Sequence, residues 1–293
     1  MIRKIHRYVF ILGFIGLLSC QKDIEKKEAY RKGDLTLVLD PSFMNLGTAL
    51  VKVFQSSYPE AVLTLKPEME DLVIADLVNG KIPVAMASRD LTDEEAKILF
   101  DRTGIMYIPS QIACDATIFI AAKESPIEEV SVAEVKSGIL DANGSFVFDG
   151  GNSSNFNNVM RKLDMSMDKD RKITSLTHAD KVIDFISKNK SHIGIIGLDV
   201  LSDEDDPKVK EMLTRVKILP VVDKNNKKIT PTLPNLRGEK YPFTKKVYLL
   251  NAESNFQIGS SFARFCGSQR GQLIVSKAGL QPFYLYERRV EIH

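Results

Sequence analysis

The stretch FVFDGGNSSNFNNVMRKL, residues 146–163, decides how this chain is to be read. Phe146, Val147 and Phe148 run as a strand into Asp149. Glycine, asparagine and serine fill residues 150–155, and then Phe156, Val159, Met160 and Leu163 recur at helical spacing. A strand thus empties into a helix through a loop that frees the backbone and displays hydroxyls. The first turn of a helix leaves N–H groups unpaired at the positive end of its dipole, so such a loop can hold a small anion. Serine and asparagine ahead of a helix also act as ordinary N-caps, contributing about 1 kcal/mol each. For one loop alone both readings stay open.

The same pattern occurs twice more. Residues 35–39 are β-rich and end at Asp40-Pro41-Ser42-Phe43, after which Leu46, Ala49, Leu50, Val53 and Phe54 mark one helix face. Residues 83–87 end at Ser88-Arg89-Asp90, and Thr92 with Glu95 forms a capping box for the next helix. In open α/β sheets ligands lie beyond the carboxyl ends of strands, which is where all three loops sit. Three together favour an anion site, and Arg89 adds a guanidinium that can fork onto an oxyanion.

Around these loops the order of elements is regular. Strands are expected at residues 61–65, 116–122, 192–197, 216–222 and 247–250, with helices at 71–79, around Val182, Ile183 and Ile186, and at 258–278. Strands alternating with helices predict an α/β fold with mostly parallel sheets, and two successive sets predict two lobes. No Pro/Gly/Ser linker separates them, so strands near 115–122 and 241–248 are expected to cross between lobes. Residues 202–207, SDEDDP, read as a solvated acidic loop, since the spaced ligands and glycine of a calcium loop are absent.

Composition sets limits. With 293 residues, 44% hydrophobic and 27% charged, the chain folds around a sizeable core. Its formal charge of +2 includes Arg3, Lys4 and Arg7, without which the balance is about −1, so no nucleic-acid partner is expected. Those cations precede the apolar run of residues 9–18, too short for a permanent membrane helix and readable as a secretory leader. The run closes on Leu17-Leu18-Ser19-Cys20, which resembles a bacterial lipobox. Cys20 would then carry lipid and anchor the protein to a membrane; the alternative is a plain signal peptide with an incidental cysteine. Residues 21–33 are charged and aperiodic, as a tether would be. Cys114 and Cys266 lie in apolar contexts and read as two buried thiols rather than a disulfide. His6, His178, His192 and His293 are scattered, so no metal and no cofactor is expected.

Five segments carry a resemblance to a known family: VAMASRDLTDEE, CDATIFIAA, IGIIGLDVL, YPFTKKVYLL and FARFCGSQRGQLIVSKAGLQPF. In this order they resemble the PstS-like phosphate-binding proteins of ABC transporters, in their lipoprotein form, over most of residues 34–290. The resemblance implies a two-lobed periplasmic-binding-protein fold of type II: a leader at 1–19, a tether at 20–33, lobe 1 from 34–117 plus 246–293, and lobe 2 from 118–245. It implies a monomeric, lipid-anchored receptor at the periplasmic or cell-surface side of a membrane. Such a receptor would close on phosphate or a similar oxyanion and pass it to an ABC permease. By position, Ser42 and Phe43 match the first ligand loop, Ser88 and Arg89 the second, and Ser153, Ser154 and Asn155 the third. The family's Gly-Ser-Gly-Thr is absent as such, no arginine precedes Asp149, and Arg89 stands where some members place the aspartate that accepts the ligand's proton. Asp40, Asp90, Asp115 and Asp149 are the carboxylates that could take that role. Two other functions compete. One is a surface or sensory lipoprotein that keeps the fold. The other is a phosphoesterase using Ser153 or Ser154, against which stand the absence of G-x-S-x-G and of any histidine in the three loops.

Overall fold

The computed structural model describes residues 30–140, 144–166 and 173–286; Cys20, the leader and most of the tether lie outside them. β1 (Gly33–Leu39), β2 (Ala61–Pro67) and β3 (Val84–Ala87) are parallel, with β1 central. Helices Met44–Ser57, Glu70–Val78 and Asp93–Thr103 follow them in turn. All four residues of β3 are buried because the sheet is covered on both sides. Val84 and Met86 join the main core, while Ala85 and Ala87 join a second cluster with Val73, Leu77 and Leu99. Full burial of a side chain such as Val84 or Met86 contributes about 1.5–3 kcal/mol.

β4 (Ile108–Ala122) is the strand shared by both halves. Beyond it come β5 (Val130–Ser131), β6 (Phe146–Phe148), β7 (Ile193–Gly197), β8 (Val216–Leu219), β9 (Val221–Val222), β10 (Lys228–Ile229), β11 (Thr244–Asn251) and β12 (Gln281–Pro282). The larger sheet runs β2-β1-β3-β11-β4-β7-β6, with β8 and β12 also on β4. Residues 108–116 of β4 pair antiparallel with β11, and from Thr117 onward β4 pairs with β7 and then β8. One strand thus serves both parts of this sheet, the β1–β3–β11 part with one half and the β6–β7–β8 part with the other.

The run expected as one strand at 216–222 is two. Pro220 has no N–H to give a ladder and divides it, so β8 joins β4 while β9 turns to β5 and β10. Cys114 and Cys266 are both buried free thiols. Among the described residues no helix is long and apolar enough to cross a membrane.

Close approach fixes one glycine in the second lobe. A Cβ on Gly194 of β7 would meet Val182, Ile120 and Ile186 at 2.7, 2.8 and 2.9 Å, where helix Ala179–Lys188 lies on the sheet. Gly194→Ala is therefore expected to lose about 1–3 kcal/mol by overpacking, read as a lower urea midpoint at unchanged slope.

Candidate functional site between the lobes

Each loop is built by local chemistry. At the end of β1, Asp40 caps a short 3-10 turn, Pro41–Phe43, by accepting a hydrogen bond from Ser42 N at 3.0 Å, with Pro41 supplying the fixed φ of a first helical position. At the end of β6, Gly150 adopts φ +153°, a conformation that residues with a side chain rarely enter. Ser153 then caps helix Ser154–Lys162, whose Phe156 packs edge-on against Phe148.

The first and third loops meet. Ser42 Oγ and Ser154 Oγ are 2.5 Å apart, although 112 residues separate them in the chain. Both hydroxyls bond the Asp40 carboxylate, which is wholly buried. It accepts from Ser42 N, from Ser42 Oγ, from Glu70 N at 3.2 Å, from Ser154 N at 2.9 Å and from Ser154 Oγ at 3.0 Å. Two of these N–H groups belong to first turns of helices on opposite sides of the cleft. Lys245 of β11, 2% exposed, completes the centre. Its Nζ donates to Asn155 Oδ1 at 2.7 Å, Ser154 Oγ at 3.2 Å and Ser42 Oγ at 3.3 Å, lies 3.1 Å from Asp115 Oδ2, and sits over the Phe43 ring.

The other two loops also hold carboxylates of the chain itself. Ser88 N donates to Glu70 Oε1 at 2.6 Å, and Glu70 is further bound by Asn157 and Arg161 from the opposite lobe; Arg161 also donates to Ser88 Oγ. Asp149 accepts from Ser153 Oγ and from Asn155 Nδ2. Arg89 forks instead onto Glu95, at 2.6 and 2.8 Å, so the capping-box glutamate holds the guanidinium that was expected at the ligand. Phe43 N donates to Asp40 O within its own turn, and Ser153 serves as a cap. Asp90 accepts from Leu91 N and Tyr107 OH.

Burial governs the charges here. It pushes Asp40 up, reinforced by Glu70 and opposed by Ser42 and Lys245. It raises Asp115 against the pull of Lys245, and takes Asp149 to about 6 with help from Asp40. Asp199, at the end of β7, is taken to about 8 by burial and the neighbouring Asp115. Glu70 moves the other way: burial would raise it, but Arg161 and the hydrogen bonds from Ser88 and Asn157 bring it below the ordinary value.

Lys245, Glu70 and Arg161 were not anticipated. The sequence carried no signal for Lys245, because only the antiparallel register of β11 on β4 sets it opposite Asp115. Beside the cluster opens a cavity of about 270 Å³ lined by Asp40, Ser42, Asn45, Asp149, Ser153 and Asp199.

Residues 28–270 match the family model described as a PBP superfamily domain. Protein SphX of Synechococcus elongatus is 23% identical over 224 residues, which is 67% of this chain and 61% of SphX, so the chain spans about three fifths of that relative. A Clostridium perfringens protein assigned as a phosphate ABC transporter substrate-binding protein, solved with bound phosphate, superposes with TM-score 0.69 at 19% identity, covering 86% of this chain and all of the other. An ABC-type phosphate transport receptor from Vibrio cholerae gives 0.64 at 15% identity, over 84% and 99%. PstS from Borrelia burgdorferi gives 0.54 at 18%, over 86% and 99%. At these identities the likeness is one of fold.

Proposed function

The chain belongs to the PBP superfamily, and from that membership we propose that it is an extracytoplasmic solute-binding protein that captures phosphate or a similar small oxyanion between its lobes for an ABC permease. One observation carries the ligand class. Ser42 N, Glu70 N and Ser154 N, with two serine hydroxyls, converge from both sides of the cleft on a single pair of carboxylate oxygens. That donor set suits a small oxyanion, since each charge-assisted bond contributes about 1.5–3 kcal/mol in a water-poor site. Lys245 supplies the positive charge that the missing arginine would have given. The similar structures solved as phosphate receptors support the same choice. The leader and the lipobox-like Cys20 support anchoring to the membrane at the N-terminus.

Equilibrium dialysis against radiolabelled phosphate tests this function. One saturable site per chain, competed by arsenate, is expected. Absence of saturable uptake up to about 10 mM, where even about 3 kcal/mol of binding would register, overturns it.

A further inference from the structure

The donors that mark the anion position are all engaged by the chain's own Asp40, and from this we infer that Asp40 is a tethered competitor. Its carboxylate occupies the ligand position, and a solute oxyanion binds by displacing it. The inference rests on the oxyanion reading above and adds a residue that sets the affinity.

Asp40 differs in kind from the other buried carboxylates around the cleft. Asp149 takes bonds from its own loop, and Glu70 from Ser88 N and from Asn157 and Arg161, whereas among the described residues Asp40 alone bonds both Ser42 and Ser154, the serines that face each other across the lobes. Ser42 N donates to Oδ1 while Glu70 N and Ser154 N donate to Oδ2, so both oxygens are held by backbone amides. An anion placed against the same amides would share its space and its charge with Asp40, Glu70 and Asp149, and would meet Lys245 as the cation that already bonds both serines. Asp40 must therefore leave before the anion is held. It borders the 270 Å³ cavity, so rotation of its short side chain has room to end there. Because the carboxylate is attached, its local concentration is high at any protein concentration. Solute affinity is reduced by the fraction of molecules in which Asp40 has swung out.

The test is calorimetric titration of phosphate into the wild type, Asp40→Ser and Asp40→Gly. Serine retains a side-chain oxygen to cap the Pro41–Phe43 turn, and cooperative thermal unfolding confirms that each variant is folded. With the carboxylate absent, phosphate should bind at least about tenfold more tightly than to the wild type, as expected if Asp40 is displaced in no more than about one molecule in ten. If the wild type binds phosphate as tightly as the folded variants, or more tightly, Asp40 is no competitor, while the oxyanion function stands. If none of the three binds phosphate or arsenate, the oxyanion function itself falls, and the role of Asp40 with it.

Discussion

Replacing Lys245 by methionine should lower folding stability by about 3–5 kcal/mol, among the largest effects of any single substitution in this chain. Lys245 and Asp115 are paired at 3.1 Å with neither side chain exposed to solvent. Asp40, Asp149 and Asp199 are buried around them. Methionine fills the same length of cavity and packs on Phe43, so the loss is electrostatic rather than steric. What remains is a set of carboxylates in a dry interior with no cation at its centre. Urea unfolding reads the loss directly. The double variant Lys245→Met/Asp115→Asn should recover part of it, because the orphaned charge goes too. A single variant within about 1 kcal/mol of wild type would show that the buried pair contributes little to folding.

The second large effect is on pH dependence. Asp199 ordinarily titrates near 3.8 and is taken to about 8 in the fold, so the native state keeps a proton that the unfolded chain has released. Stability therefore falls as pH rises from about 4 to about 8, since in that range the unfolded state binds fewer protons. Asp149, at about 6, adds to the fall in the lower part of the window. Asp40 and Asp115, both raised, act in the same sense. Glu70 and Glu95, both lowered, act oppositely, but only below their ordinary value of 4.5. The expected outcome is a loss on the order of a few kcal/mol between pH 5 and pH 8. Asp199→Asn keeps an oxygen for the Leu46 N–H and should flatten the slope above pH 6 while raising stability at pH 8. A wild-type stability that is flat or rising across that range would show Asp199 to be ionised in the native state.

These effects turn on residues that the linear sequence shows poorly, although much of the scaffold is legible there. The apolar stretches 84–87 and 116–122 read as strands, and every residue of both is buried in the fold. Thr92 and Glu95 form the capping box their spacing announces, with bonds of 3.2 and 2.9 Å. Such features depend on neighbours three or four residues apart. The three loops were findable for the same reason, since each follows a buried strand and opens a helix. Which groups would meet across the cleft was another matter. Lys245 and Asp115 become partners only through the register of β4 with β11, and Glu70 meets Arg161 only when two helices from different lobes approach. Arg89 shows the converse. Its type suited an anion, yet a glutamate six residues on offers a bidentate partner with little entropy to lose, and local chemistry prevailed.

The claim that the interlobe amides form an oxyanion site is tested most directly by growing crystals in arsenate and locating arsenic from its anomalous scattering. An arsenic peak within hydrogen-bond distance of Ser42 N, Glu70 N and Ser154 N, with the Asp40 carboxylate turned toward the adjoining cavity, is the expected result. An Asp40 carboxylate still bonded to all three amides at saturating arsenate, with arsenic absent or bound elsewhere, would contradict it.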